Sequence, residues 1–530
     1  MREQKKSLFS VVLLSILILG ASVAQAIVVT STANSGAGSL RQAINDANSD
    51  GVPTTITFDP VVFPAGGNTT IFLTSQLPAL TGVGDTIDGG AVILDGPCPA
   101  LPPPDGAGSA TVILDGSFAA PDDSGLRVRA SNVTLRSLWI QNFSGDGIRV
   151  QPAGGASGVS ITGVVISENV IRSNQDGVRV SAQEGPGNHI EATISNNAVD
   201  LNRDDGIFVR GSNGNPSSTV SSSNTVEVVI ESNCVSRSQG VATGGETTGD
   251  GIRVHAGNNG GSGNAVTAMI SNNTLVRNVE DGIAVAGTGL NGTASDNTID
   301  ATVINNRVIG PGPQTNSLTA NGILIRGGNR AGAVVAGENN HISFLIQDNK
   351  VRQFRDNGIH VSGGRGQFHN VSGSVVANIV DGNNGPISTG ILIRAGAGNN
   401  SNNNTLENIS VEGNSVRKSL GDGIRVALGN GSGHVVSLSG VTGNESNENG
   451  ADGLSIGGGV QPAQPGITPI SGNTTDKNGE DGMDIDATDF VLSNNSAKKN
   501  VGAGIDAVGN IDGGGNTATG NASCNTPGCF

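Results

Sequence analysis

One short phrase constrains this chain more than any other feature: Asp or Asn, then Gly, an apolar residue, any residue, and a second apolar residue. It stands at Asp146-Gly147-Ile148-Arg149-Val150 and starts again at Asp176, Asp205, Asp250, Asp281, Asn321, Asn357, Asp422, Asp452 and Asp481. Thr389-Gly390-Ile391-Leu392-Ile393 is a variant, and Ala503-Gly504-Ile505 is a degraded last copy. A second phrase, an apolar residue and two more before an asparagine, precedes most copies. It places Asn169, Asn197, Asn233, Asn273, Asn306, Asn349, Asn378, Asn414, Asn444, Asn473 and Asn495. Together the two phrases make a unit of about 21–45 residues, mostly near 30, which is the range of solenoid repeats.

Apolar residues alternate at period two within each phrase, so the segments read as strands with one buried face. The Asp/Asn-Gly pair reads as a turn whose glycine accepts positive φ. A single coil of three short strands can neither bury its inner face nor pair its own backbone. Coils stacked about 4.8 Å apart do both. Stacking also turns the repeated asparagines into a ladder of side-chain amides. The Gly/Asn-rich stretches 257–264 and 395–404 are expected as loops leaving one corner. Leucine-rich repeats would need leucine at fixed positions. Propeller blades would need more aromatics than the 2% here, where Trp139 is the one tryptophan and tyrosine is absent. The expected fold is all-β: a right-handed parallel β-helix solenoid with a short N-terminal capping helix. That helix is read from Ser39-Leu40-Arg41-Gln42, which matches a capping box, and from Leu40, Ala43, Ile44 and Ala47 on one face. It would cover strand edges that otherwise invite aggregation. Strands are expected at 55–58, 71–74 and 92–94. The phrase at 92–96 returns at 112–116, and the proline-rich stretch 97–104 reads as a surface excursion.

The domain reading has four parts. Residues 1–26 form a signal peptide, with Arg2, Lys5 and Lys6 ahead of an apolar run at 8–20 and Ala24-Gln25-Ala26 as the cleavage site, so the mature chain begins at Ile27. Residues 27–120 are the N-terminal cap and first coils, 121–520 the parallel β-helix repeats, and 521–530 a C-terminal tail. Cys524 and Cys529, separated by Asn525-Thr526-Pro527-Gly528, are expected to form a disulfide closing that tail. Cys98 and Cys234 have no obvious partner nearby in the sequence, and no zinc-type spacing is present. The expected location is outside the cytoplasm: extracellular, cell-surface or periplasmic. No stretch after the signal is apolar enough to span a bilayer. The net charge of -16 argues against nucleic acid as a partner. A monomer is expected.

The Asp-Gly-Ile-x-Val and x-x-Asn-x-Val units, over about residues 120–520, resemble the parallel β-helix repeats of pectin-lyase-like proteins, as in the right-handed β-helix domain of bacterial exported proteins. Residues 39–47 with Ile56-Thr57-Phe58-Asp59-Pro60 resemble the N-terminal part of such proteins, with Gly38 where that motif carries cysteine. The resemblance implies the fold. It leaves function open, because this fold hosts lyases, hydrolases, epimerases, adhesins and non-enzymes.

Hydrolases of acidic galacturonans in this group carry Asn-Thr-Asp, Asp-Asp and Gly-His-Gly. Here Asp204-Asp205 is present, but Asp205 belongs to the repeat turn, and the pair is assigned to that turn. No Gly-His-Gly exists, and His189, His255, His341, His360, His369 and His434 are scattered. The Asp-Pro-His of alginate epimerases is missing. The acidic stretch Asp476, Glu480, Asp481, Asp484, Asp486 and Asp489 leaves room for Ca2+, but its spacing matches no calcium loop and it reads as a solvated face. No other cofactor is called for.

One constellation rises above the background. The outward x residue of the first phrase is Arg149, Arg179, Arg253 and Arg425, with His360 in another coil. The next outward position carries Arg210, Arg326 and Arg394, and the neighbouring strand adds Arg172, Arg237, Arg277, Arg352 and Arg417. Stacked, these columns make a basic stripe suited to a linear polyanion such as an acidic polysaccharide or cell-surface glycan. The competing expectation is internal pairing with the repeat aspartates, which adds little stability where exposed. The sequence thus supports an exported β-helix protein that binds carbohydrate or another surface without catalysis. The alternative is a lyase, hydrolase or epimerase acting on an acidic polysaccharide, and a third reading is a structural spacer that binds no glycan.

Overall fold

The computed structural model describes residues 25–93, 109–183, 185–212, 221–240, 249–258, 260–289, 293–310, 320–328, 337–382, 388–397 and 401–524. Its strands form three long sheets, here A, B and C, of 17, 15 and 13 strands. One coil contributes a strand to each in turn. His189–Ser195 lies in A, Ala198–Asp200 in B and Ile207–Arg210 in C; the next coil supplies Thr225–Glu231, Cys234–Ser236 and Ile252–Gly257. Pairing between coils is parallel and residue on residue, as in Ile190↔Val226↔Val266 and Ile207↔Ile252↔Ile283. The protein is therefore a parallel β-helix. Inward Val, Ile and Leu residues fuse into one continuous apolar core from Val29 to Ala507.

The repeated asparagine does what stacking requires. From Asn169 to Asn495, each backbone N–H and each side-chain Nδ2 donates to the Oδ1 of the asparagine one coil later: Asn197 to Asn233 at 3.0 and 3.0 Å, Asn233 to Asn273 at 2.9 and 3.1 Å, Asn273 to Asn306 at 2.9 and 3.0 Å. Nδ2 also reaches back to a strand carbonyl, as from Asn273 to Ile230 at 2.8 Å. The residue before the ladder turns the corner in the left-handed region: Asn196, Asn272 and Asn305 have φ of 56°, 57° and 56°.

Two more ladders occupy the other corners and were not read from the sequence. Between B and C, Asn174 donates to Asn202, and Asn449, Asn478, Asn500 and Asn521 continue the series. Between C and A, the series runs Asn188, Asn224, Asn264, Asn297 and Asn340, then His369, Asn404 and His434. Here Nδ1 of His369 and of His434 accepts the backbone N–H that an asparagine oxygen takes elsewhere, each at 3.2 Å. Two of the scattered histidines are therefore rungs of the scaffold.

The repeat aspartates form a fourth ladder of opposite polarity. From Asp176 onward the carboxylates accept the N–H of the following coil, as Asp176 from Asp205 at 3.1 Å, Asp205 from Asp250 at 2.9 Å, and Asp250 from Asp281 at 2.8 Å. The glycine after each is required for a different reason from the one expected. None of these glycines has positive φ. They are close approaches: a Cβ on Gly177 would lie 2.4 Å from the Gly206 carbonyl oxygen and 2.4 Å from Val199.

The N-terminal cap is as expected. Leu40–Asp50 is helical, Ser39 accepts from the Gln42 N–H at 3.2 Å, and Leu40, Ala43, Ile44 and Ala47 are buried. Strands at Thr54–Phe58 and Thr69–Phe72 follow. The two copies of the early phrase do not stack on each other: Val92–Ile93 pairs antiparallel with Ser109–Ala110, whereas Val112–Asp115 joins sheet B beside Thr69–Phe72. The expected excursion at 97–104, residues 1–24 of the expected signal peptide 1–26, Cys98 and Cys529 lie outside the described residues, and with Cys529 the expected Cys524–Cys529 closure; Gln25 and Ala26 begin the strand Gln25–Val29, which pairs with Thr54–Phe58. Among the described residues no helix is long and apolar enough to cross a membrane.

Two outcomes follow from the ladders. Asn273→Ala strands a buried N–H and a buried carbonyl, and should lower the unfolding free energy by about 2 kcal/mol in urea titration. Burial holds the His369 imidazole down at about 4. An unfolded chain takes that proton near 6.5, so the fold loses stability as pH falls from about 6.5 to 4. His369→Asn, the residue found in neighbouring rungs, should remove that loss while leaving the denaturation midpoint at pH 7.5 nearly unchanged.

Candidate functional site

Outward residues of sheet C stand in register from coil to coil. One column reads Arg127, Arg149, Arg179, Phe208, Arg253, Ala284, Leu324, His360, Leu392, Arg425, Ser455 and Asp484. The next reads Ser181, Arg210, His255, Ala286, Arg326, Ser362 and Arg394. Arg149, Arg179, Arg253 and Arg425 thus share one line and Arg210, Arg326 and Arg394 the adjacent one. The lines are broken: Phe208, Ala284, Leu324 and Leu392 interrupt the first. The remaining arginines stand elsewhere. Arg172, Arg352 and Arg417 lie in sheet B, and Arg237 and Arg277 at its edge with positive φ.

Internal pairing accounts for much of the charge. Arg149 pairs with Asp146, Arg179 with Asp146 and Asp176 at 3.7 and 3.6 Å, and Arg253 with Asp205 and Asp250 at 3.5 and 3.8 Å. Arg425 meets Asp422 at 3.4 Å, with its own side chain 53% exposed. Arg394 donates to the His360 Nε2 at 3.2 Å, and Arg237 and Arg417 pair with Asp200 and Asp381. Asp176, Asp250 and Asp422 each spend one oxygen on the ladder N–H and offer the other to the arginine three residues on, whereas Asp146 meets Arg149 and Arg179. Buried pairs of this kind fix position more than they stabilise.

Three coils concentrate something beyond this scheme. Phe208 is ringed by guanidiniums: the Arg179, Arg210 and Arg253 carbons lie 4.9, 5.5 and 5.7 Å from its centroid. His255 stands edge-on to the same ring at 5.0 Å. His255 is 2% exposed, and neither ring nitrogen has a hydrogen-bond partner. Burial, then Arg253, Arg210, Arg179 and Arg326, hold it neutral, well below the usual imidazole range. Burial and the Arg179 charge likewise depress Arg210, whose Nε donates to Ser181 at 2.9 Å. Beside this group lie Asp176, Asp204 and Asp205, with an oxygen from each within 4.8 Å of the others. Burial pushes the Asp176 carboxyl well above the usual carboxylate range, against the pull of Arg179. Asp204 stands where no ladder requires an acid: the corresponding position in other coils is Gly145, Gln175, Gly249, Ala320, Ser388 and Gly421, and it is acidic again at Glu280, Asp356 and Glu480.

Assigning Asp204-Asp205 to a turn was therefore half the account. Asp205 is a ladder residue, while Asp204 is an additional acid brought against Asp176 by one turn of the coil. The acid directly before the ladder acid recurs at Glu280 and Glu480, and the usable signal that distinguishes Asp204 is the first column's one aromatic, Phe208, with a histidine close by. A cluster of three carboxyls beside arginines can place a proton donor and an ionised carboxylate together. It also offers oxygen ligands to a hard cation, with Arg179 and Arg253 as competitors for the same atoms.

Of the acidic stretch near the C-terminus, Asp484 lies in sheet C, whereas Asp476 lies in sheet B. Asp484 stacks on Asp506. Burial and neighbouring acids raise Asp452 to about 7 and Asp484 to about 6.

No family model and no curated protein matches this chain. Solved structures similar to it include the Dettilon tailspike protein (12% identity, 94% of this chain and 68% of that one, TM-score 0.35). A GH87 α-1,3-glucanase catalytic unit from Streptomyces thermodiastaticus matches at 13% identity over 94% and 69%, TM-score 0.41. The A-module of an Azotobacter vinelandii mannuronan C-5 epimerase matches at 12% over 93% and 97%, TM-score 0.33.

Asp452 titrates near 3.8 when unfolded, so its ionisation destabilises the fold increasingly as pH rises from about 4 to 7. Asp452→Asn keeps an acceptor for the Asp481 N–H and should raise the denaturation midpoint at pH 8 more than at pH 5.

Proposed function

We propose that this protein is an exported carbohydrate-active β-helix that takes an acidic polysaccharide on the outer face of sheet C and hydrolyses it at Asp176, Asp204 and Asp205. The observation that carries this reading is a cluster of carboxyls in which Asp176, favoured in its protonated form by burial, lies against Asp204, at a position that most other coils fill with neutral residues. Glycoside hydrolysis uses one protonated carboxyl to donate to the leaving oxygen. It uses one ionised carboxylate to activate water or to stabilise the cationic transition state. The partly exposed Arg149 and Arg179 supply charge for an acidic sugar next to those groups.

A second reading, glycan binding without turnover, is favoured by the commitment of Asp176 and Asp205 to ladder and arginine contacts.

The test incubates purified protein, with and without chelator, with a panel of uronate polysaccharides. The expected result is new reducing ends without the absorbance of unsaturated products, insensitive to chelator. Asp204→Asn should slow the reaction by at least about 100-fold, and Lys498→Ala, on sheet B, should not. Retention of the polysaccharide with no new ends would establish the second reading. Unsaturated products would make the protein a lyase, and neither binding nor cleavage would overturn the proposal.

A further inference from the structure

A different face of the coil holds a second group of chemistry-bearing residues. In sheet A, His189 and Glu191 lie two residues apart on one strand, so both project outward, and Glu227 stands directly opposite Glu191 on the next strand. His189 Nε2 is 3.3 Å from a Glu191 oxygen and 3.6 Å from a Glu227 oxygen. One ligand atom from each of the three residues lies within 4.8 Å of the others. Like charges directly opposite across strands are destabilising. Among the described residues the only cationic partner of either glutamate is His189. That nitrogen is shielded from solvent and hydrogen-bonded to nothing, although both carboxylates face it.

The surroundings keep room beside the group. The strand before it, Ser160–Ser167, breaks register between Ile161 and Val164, so that Thr162 and Gly163 together fall across from Glu191, and Gly163 takes φ of 66° there. On the other side Glu227 pairs with Thr267, a short residue. A groove of about 330 Å³ results, lined by Glu191 and Glu227 with Val165, Thr193, Val229 and Met269.

We propose that His189, Glu191 and Glu227 bind a divalent transition-metal ion, with its remaining coordination positions open to this groove. One imidazole nitrogen with two carboxylates is a ligand set for Zn2+ or a neighbouring first-row ion, not for an all-oxygen calcium cage. The distances agree. Bonds of about 2.1 Å place neighbouring ligand atoms about 3.0 Å apart in an octahedron and about 3.4 Å apart in a tetrahedron. The ion would neutralise the facing carboxylates and give the shielded nitrogen its partner. Two strands of a continuous sheet hold all three residues, so little ordering is needed on binding. This site lies on another sheet from Asp176, Asp204 and Asp205 and stands or falls independently of the proposed hydrolysis.

The test strips the full-length mature protein with chelator, equilibrates it with Zn2+ at pH 7.5, and counts bound metal by mass spectrometry, with Co2+ absorbance reporting the ligand field. One equivalent is expected, with uptake falling as pH is lowered because protons compete with the metal for its ligands. His189→Ala and Glu227→Gln should each weaken binding by roughly tenfold or more, with unchanged circular dichroism, and Asp204→Asn should bind as the parent does. Binding no stronger than that of the chain carrying both substitutions would overturn the proposal. So would binding that survives His189→Ala and is lost in Asp204→Asn.

Discussion

Everything in this molecule depends on identical backbone segments lying in register, one coil above the next. Sheet hydrogen bonds alone would permit a slip, because a parallel ladder looks much the same after a shift of two residues. The corners prevent it. An asparagine whose Oδ1 accepts both the N–H and the Nδ2 of its predecessor, as Asn233 does from Asn197, is satisfied at one offset only. Slippage would leave buried amides without partners at every corner at once. The apolar core of Val and Ile supplies the driving force for collapse, and the side-chain ladders decide which collapsed state is reached.

The same arrangement sets the terms for chemistry. Side chains two apart on a strand share a face, and residues in equivalent positions of successive coils stand beside each other. A chemical group therefore needs only one off-pattern residue to acquire neighbours. Asp204 gains Asp176 in this way, Phe208 gains three guanidiniums, and Glu191 gains Glu227. Charges that belong to the scaffold and charges that can act on a ligand occupy the same columns, so the two roles separate only when each oxygen is traced to its partner.

That is also why the sequence was legible in one respect and opaque in another. The solenoid, its capping helix and the ladder through Asn197, Asn233 and Asn273 follow from spacing, because each repeats often enough to rise above chance. The arginine columns were legible for the same reason. The ladders through Asn174 and Asn188 were not, since histidine replaces asparagine at His369 and His434, and variable loops shift the interval. The repeat glycine was read as a turn former, but its requirement comes from a carbonyl one coil away, which no local pattern reveals. His255 and the His189–Glu191–Glu227 group each occur once, and the acid of Asp204 recurs at its position only as Glu280, Asp356 and Glu480. A singular residue has no period to betray it, and its meaning lies in a contact across about 30 to 40 positions of chain.

The third corner has a further consequence. There Nδ2 of Asn188 binds the Ala182 and Gly185 carbonyls at 3.2 and 3.1 Å, while its backbone N–H reaches Asn224, so the asparagine knots the base of the outgoing loop at the point where the next coil begins. Whatever length of chain is inserted beyond that knot, the strand behind it resumes at the same height. The excursions and the framework are thus free to change at different rates. Segments could be exchanged among coils, or lengthened to meet a new ligand, while the column beneath records nothing of the change.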